Sequence, residues 1–214
     1  DDRSIERLNP ALVGRPDLMA GRTTLTVFEG MTGMSENVFI NTKNRSHSIT
    51  AEVVIPEGGA KGVIIAQAGR FGGWSLYLKD GKPAYTYNFL GLKSTTIAAE
   101  QAIGAGKATV RYEFAYDGGG FGKGGVGTIF VNGRKVAEGR IERTQPLAFS
   151  ADEGADVGED GETPVVENYG IQAPYKFTGK INKVTIDLKE MGKAQQTQED
   201  KLRAEAARKK VMSD

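Results

Sequence analysis

The stretch that decides the fold is GGWSLYLKDGKPAYTYNFLG, residues 72–91. Apolar and aromatic side chains take every second position on both sides of Asp80-Gly81: Trp74, Leu76 and Leu78 before it, Tyr85, Tyr87 and Phe89 after it. Asp-Gly between two alternating runs indicates a β-hairpin, because these residues accept the positive φ angles of a two-residue turn. The stretch therefore predicts two paired antiparallel strands.

Similar short runs continue in both directions. Residues 48–55 alternate between apolar and polar positions, which is typical of a strand with one buried face, whereas the continuous apolar run at 62–67 predicts a central strand covered on both faces. Asn132-Gly133 predicts a second hairpin. The remaining predicted strands are 23–28, 107–117, 128–131, 135–141, 175–178 and 181–188. About ten strands with one buried face each predict an all-β fold of two packed antiparallel sheets.

The predicted sandwich occupies residues 23–190. Residues 1–22 are polar and contain Asn9-Pro10 and Arg15-Pro16, so we interpret them as a linker or docking segment. Residues 191–214 are rich in Gln, Glu, Lys and Ala, with opposite charges at helical spacing such as Glu199 and Arg203. This tail is predicted to form a short C-terminal helix.

Composition excludes several classes of function. The 214 residues include 29 Gly and 7 Pro, as expected for many tight turns, and no Cys, which excludes disulfides and thiolate chemistry. A net charge of +1 gives no global attraction for nucleic acid, and no apolar run approaches the ~20 residues of a membrane span. The chain opens on Asp1 with neither Met nor a signal peptide, which fits a fragment of a longer protein; the compartment stays open between periplasmic or secreted and cytoplasmic.

Two motifs invite a catalytic interpretation that their context does not favour. The Gly-rich run at 117–125 contains Lys123, but Gly124-Gly125 and a strand follow it where a phosphate-binding loop needs Ser or Thr and a helix. We interpret it as a flexible loop between antiparallel strands. His47 is the only histidine and lies in no nucleophile-elbow pattern, so we interpret it as a turn residue at the start of a strand.

The acidic segment at 150–174 offers carboxylates that could bind calcium, an ion that takes six to eight oxygen ligands. The candidate ligands for a structural calcium ion are Asp152, Glu153, Asp156 and Asp160. Their spacing does not match an EF-hand, and a solvated acidic loop is the alternative. No other cofactor is expected in this chain.

Carbohydrate binding is a common role of isolated sandwich domains and requires an exposed aromatic platform. The candidates lie in the first hairpin: Trp74, Tyr77, Tyr85 and Tyr87. Alternation places Trp74 and Tyr77 on opposite faces of the sheet, so at least one of them could be exposed. The alternative is that all four belong to the core, as most aromatic residues in alternating strands do.

Several longer stretches resemble the C-terminal region of long bacterial arylsulfatases, which are type I sulfatases of the alkaline phosphatase superfamily. The stretches that carry the resemblance extend over almost the whole chain: residues 1–3 with 6–7 and 9–10, 14–16, 43–44 with 46–48, 72–77, 87–92, 114–125, 149–153, 156–158, 177–180 and the tail around 199–210.

The resemblance implies a concanavalin A-like or jelly-roll sandwich appended to a catalytic module. The family uses a formylglycine made in a Cys/Ser-x-Pro/Ala-x-Arg motif and a divalent cation, usually calcium. Neither that motif nor the family's ligand set occurs in this sequence. The resemblance therefore implies that the catalytic sulfatase module lies upstream of Asp1, and no catalytic residue is carried over. The expected role is a non-catalytic accessory domain that packs on this partner or shapes access to it. The alternatives are a carbohydrate-binding module for sulfated glycans and an oligomerisation domain.

Overall fold

The computed structural model describes residues 18–19, 21–150, 153–161, 163–190 and 197. Within these residues the chain forms eleven strands: β1 (Thr24–Val27), β2 (His47–Ile55), β3 (Gly62–Gly69), β4 (Gly72–Lys79), β5 (Lys82–Phe89), β6 (Lys93–Ala98), β7 (Gly106–Tyr116), β8 (Gly125–Val131), β9 (Arg134–Ile141), β10 (Ala155–Val157) and β11 (Lys180–Leu188). No described helix is long and apolar enough to cross a membrane.

The strands form two sheets that pack face to face. The six-stranded sheet has the order β1-β11-β2-β7-β8-β9 and the five-stranded sheet the order β10-β3-β4-β5-β6. Every pair of neighbouring strands is antiparallel. The predicted all-β, two-sheet antiparallel sandwich is therefore confirmed. Of the predicted C-terminal helix only Thr197 belongs to the described residues, so that prediction falls outside them.

Both predicted hairpins form at the expected turns. Asp80 and Gly81 have φ angles of 52° and 74°, and the turn places Trp74 opposite Tyr87. Asn132 and Gly133 have φ angles of 51° and 79° between β8 and β9. Because both central residues have positive φ, each loop has the twist that a two-residue hairpin prefers.

The main core lies between the two sheets and follows the predicted alternation. Ile49, Ala51, Val53 and Ile55 of β2 are all buried, as is every residue of β3. Burial of each large apolar side chain stabilises the fold by about 1.5–3 kcal/mol. The prediction that β3 is covered on both faces is confirmed.

A second, smaller core covers the outer face of the five-stranded sheet. Residues 160–161 and 163–175, which we call the cover segment, cross this face and bring Val165 and Tyr169 onto Val63, Ala66 and Tyr77. The acidic region of the sequence thus contains the apolar side chains that bury one sheet face, in addition to β10.

Three details differ from the sequence prediction. The strand predicted at 175–178 is wrong: Tyr175 has a φ of 61°, which interrupts an extended run, and Lys176 makes only an isolated bridge to Val63. The strands β6 and β10 were not predicted. In β6 only Ile97 is fully buried, so no apolar alternation marks it, and β10 has three residues inside the acidic region.

One end of the sandwich, here called the hairpin end, gathers most of the irregular segments. Among them are the β3–β4 turn (70–71), the β5–β6 turn (90–92), the Gly-rich loop (117–124) and the connection 142–149. The described chain also enters and leaves here, because Leu188 pairs with His47 at the start of β2 and donates its N–H to the Thr23 carbonyl at 2.8 Å.

Candidate interaction surface

The four aromatic residues predicted to bind a glycan are all buried, with exposed fractions of 6% or less. Trp74 Nε1 donates a hydrogen bond to Gln67 Oε1 at 2.9 Å, and the Tyr87 hydroxyl accepts one from the Gln145 N–H at 2.6 Å. Tyr85 stacks on Tyr112 with ring centroids 3.5 Å apart. These side chains therefore form no exposed platform on which a sugar ring could stack.

The alternation prediction for Trp74 and Tyr77 is confirmed, since they lie in the main and the second core respectively. Tyr77 would face solvent without the cover segment. Its ring instead meets Tyr169 edge-on at 4.8 Å, and its hydroxyl lies 3.0 Å from Thr86 Oγ1. Burial raises the pKa of Tyr77 above its usual value.

The described acidic candidates accept hydrogen bonds from backbone and hydroxyl groups of the protein. Glu153 Oε1 accepts from the Thr163 N–H at 3.1 Å, and Asp156 Oδ1 accepts from the Gly33 N–H at 2.7 Å. Asp160 is buried and accepts from the Val165 N–H at 2.9 Å and from the Tyr169 hydroxyl. Burial raises the pKa of Asp160 to about 6. Asp152 lies outside the described residues.

The described carboxylates do not converge on one point. Among the residues that the structure describes, no three Asp, Glu, His or Cys side chains group closely enough to hold a metal ion. Calcium prefers several oxygens directed at one centre, and these carboxylates are directed at backbone and hydroxyl donors. Calcium binding at this segment stays a prediction.

His47 begins β2, as the sequence predicts, and lies in the core. Its Nδ1 is 3.1 Å from the Arg45 carbonyl, while its Nε2 makes no hydrogen bond to any described residue. Burial lowers the pKa of His47 to about 4. Beside it lies a cavity of about 20 Å³, partly lined by Trp74 and Tyr112, which has room for about one water molecule and none for a sugar.

The Gly-rich loop joins β7 and β8 and leads directly into a strand, as predicted. The Tyr116 hydroxyl donates to the Gly120 carbonyl at 2.6 Å and accepts from the Lys123 N–H at 3.0 Å, so the loop folds back over its own strand. Four of its glycines have positive φ: Gly118, Gly119, Gly120 and Gly122. The amide of Lys123 is thereby used within the loop and is not part of a phosphate cradle.

The hairpin end carries a group of exposed apolar side chains that the sequence analysis did not select. Phe71 is 72% exposed, Leu90 40% and Leu92 80%. The two turns that carry them lie side by side: a Cβ built on Gly91 would come within 3.8 Å of Phe71 Cα, and one on Gly72 within 3.7 Å of the Leu90 nitrogen. We call these three residues the tip patch.

Asn88 joins the two turns into one unit. Its Nδ2 donates to the Arg70 carbonyl at 2.9 Å, and its Oδ1 accepts from the Gly91 N–H at 2.9 Å. Both ends of one buried amide are therefore used to hold the β3–β4 turn against the β5–β6 turn. The sequence hint that could have found the patch is Leu90-Gly91, which places an apolar residue where a hairpin turn normally has Asn or Asp.

Comparisons with known proteins show which solved structures have a similar fold. No family model matches the chain, and no curated protein matches it. Among solved structures, the CBM40 carbohydrate-binding module of Ruminococcus gnavus IT-sialidase, bound to α2,3-sialyllactose, is similar with a TM-score of 0.51 and 14% identity over 81% of this chain and 93% of that chain. A second structure of the Ruminococcus gnavus IT-sialidase CBM40 module is similar with a TM-score of 0.51 and 14% identity over 81% of this chain and 94% of that chain.

At 14% identity the likeness extends to the fold and not to individual side chains. The residues of the tip patch therefore cannot be matched one by one to residues of these modules. The patch is identified from the geometry of this chain. The chain has the antiparallel β-sandwich fold found in sialidase carbohydrate-binding modules.

Proposed function

We propose that this chain is a non-catalytic accessory domain of a larger sulfuric ester hydrolase. It docks on the catalytic module that precedes it and helps shape access to that module. The observation that carries the proposal is the coincidence, at the hairpin end, of the exposed tip patch with both ends of the described domain. A module attached through residues 1–22 is thereby tethered at the end that exposes apolar side chains.

The sequence resemblance also supports the hairpin end as the end that docks on the preceding module. Residues 72–77, 87–92 and 114–125, which carry much of the resemblance to arylsulfatases, border the hairpin end. The solved structures named above are not sulfatases, so the sulfatase partner rests on this sequence resemblance.

Turnover of an aryl sulfate ester tests the proposal. The full polypeptide that contains this chain should hydrolyse the ester, and this chain alone should release no product, because it carries neither the formylglycine motif nor the family's metal ligands. Hydrolysis by this chain alone would contradict a non-catalytic role. A full polypeptide without activity would contradict the sulfatase assignment.

Carbohydrate binding is the second candidate, and the fold shared with the sialidase modules favours it. Since the four predicted aromatic residues are buried, the exposed ring of Phe71, next to Arg70 in the sequence, is where a sulfated sugar would bind. Calorimetry with sulfated oligosaccharides tests this candidate, with Phe71→Ser as the variant and Phe28→Ser, an exposed phenylalanine outside the tip patch, as the matched control. Heat of binding that Phe71→Ser alone abolishes would favour the glycan over the docking partner.

A further inference from the structure

We infer that Phe71, Leu90 and Leu92 form a preorganised docking patch for an apolar, carboxylate-rimmed surface of the module that precedes this domain in the same polypeptide. The inference rests on the proposed function and deepens it by naming the contact surface and the chemistry of its partner.

The backbone of Leu90 is unusual for a leucine. Among the described hairpin turns, three have positive φ at both central positions: Asp80-Gly81, Leu90-Gly91 and Asn132-Gly133. Two of them have the Asp or Asn that tolerates this conformation, whereas Leu90 has a φ of 56° and a bulky side chain. Strained conformations of this kind concentrate where a side chain must be presented for function. The exposed position of Leu90 gives no folding reason for leucine at this turn.

The two turns that carry the tip patch are rigid. The β5–β6 turn is closed by the Leu92 N–H donating to the Phe89 carbonyl at 2.9 Å, and Asn88 holds the neighbouring turn against it. A surface whose backbone is already fixed loses little conformational entropy when it binds. The tip patch is therefore built as a contact surface before any partner arrives.

The patch is small. With full side-chain areas of roughly 150–200 Å², the exposed fractions of the three residues leave roughly 290–380 Å² of apolar surface. A stable complex of separate proteins usually needs about 800 Å² from each partner. The patch is thus small for a dimer of this chain. A tethered partner is present at an effective concentration in the millimolar range, at which a small contact suffices.

Positive charges border the patch. Lys93 follows Leu92 directly, and the Arg143 guanidinium lies 5.4 Å from the centre of the Phe89 ring beside the turn. Arg70 is ion-paired with Glu167 at 3.2 Å, so Lys93 and Arg143 supply the positive charge of the rim. A positively charged rim around an apolar centre fits a partner that places carboxylates around an apolar surface.

Hydroxyl-radical footprinting of the full native polypeptide tests the inference directly. In this domain Phe71 is more exposed than Phe28, which follows β1 outside the tip patch and is 53% exposed. If the patch is docked, the order inverts, and Phe71 and Leu92 should be oxidised roughly tenfold more slowly than their side-chain type and exposure here imply. Oxidation of Phe71 at least as fast as that of Phe28 would overturn the inference.

The variant Leu90→Asn separates docking from folding. Asn suits the turn and removes the apolar contact, so it should raise the thermal midpoint of this domain while increasing the oxidation of Phe71 in the full polypeptide several-fold. The control Phe28→Ser should leave Phe71 protected. Unchanged protection in Leu90→Asn would overturn the role of Leu90.

Failure of this inference can be distinguished from failure of the proposed function. An active sulfatase with an unprotected patch overturns this inference alone. A polypeptide without a preceding module overturns the proposed function together with it. Protection of Phe71 that depends on protein concentration identifies a second copy of the chain as the occupant and contradicts the tethered partner.

Discussion

Replacing Asp160 with Asn should change how stability depends on pH. Asp160 is a buried residue at the start of the cover segment, and burial raises its pKa from 3.8 to about 6. Between these two values the unfolded chain releases the proton while the folded chain retains it, so the free energy of unfolding falls as pH rises. The difference of about two pKa units corresponds to about 3 kcal/mol lost across this window. The Asp160→Asn variant has no carboxyl group at this position, so its free energy of unfolding should not show this fall.

Urea unfolding followed by the fluorescence of Trp74, the only tryptophan, measures the effect. Asp160→Asn should gain about 3 kcal/mol relative to the parent between about pH 4 and about pH 7, whatever its constant offset. Glu167→Gln, a change at an exposed side chain of the same segment, is the matched control and should run parallel to the parent. Parallel curves for Asp160→Asn as well would refute the assignment of a buried, protonated carboxyl group.

Three further predictions concern the core, the tip patch and the acidic segment. His47 has the opposite sign: its pKa is lowered from 6.5 to about 4, so about 3 kcal/mol of stability present above pH 6.5 is lost as pH falls to about 4. His47→Gln should remove this contribution, so in the same urea titration the stability of the variant should fall as pH rises from about 4 to 6; a pH dependence equal to that of the parent would contradict the assignment. Leu90→Asn should raise the free energy of unfolding of the domain by about 1 kcal/mol, because it relieves a strained backbone conformation, while Leu92→Asn in the same turn should not; equal effects in chemical denaturation would count against strain at Leu90. The predicted calcium site is tested by the melting temperature with calcium and with chelator: a calcium-dependent rise would confirm the site, and no shift would show that the hydrogen bonds accepted by Glu153, Asp156 and Asp160 already occupy these carboxylates.

The two buried titrating groups oppose each other between about pH 4 and 6. Rising pH removes stability through Asp160 and adds it through His47, so the parent protein should show a shallow net dependence in this range. Each single variant then reveals the contribution of the other group.

Local sequence features predicted most of the fold because hairpins and alternation are local properties. Asp80-Gly81 and Asn132-Gly133 determined two turns, and the continuous apolar run of β3 predicted its burial on both faces. The strand β6 escaped prediction because its stability comes from pairing with β5 and not from its own apolar pattern.

The candidate site was less predictable because exposure depends on distant segments. Tyr77 is buried by the cover segment some 90 residues later, and Tyr87 by contacts with the connection that holds Gln145 and Phe149. No periodicity within the first hairpin contains that information. The tip patch had only the unusual Leu90-Gly91 turn to indicate it, and its rigidity depends on Asn88 reaching across to a second turn.

The most direct test of the docking role is photo-crosslinking from position 92 in the full polypeptide. A benzophenone side chain placed at Leu92 should form crosslinks within the same polypeptide to a segment of the preceding module that is rich in Asp and Glu. The same group placed at Phe28 should give none to that segment. Crosslinks from position 92 that join only two copies of the chain, or no crosslinks at all, would contradict the account.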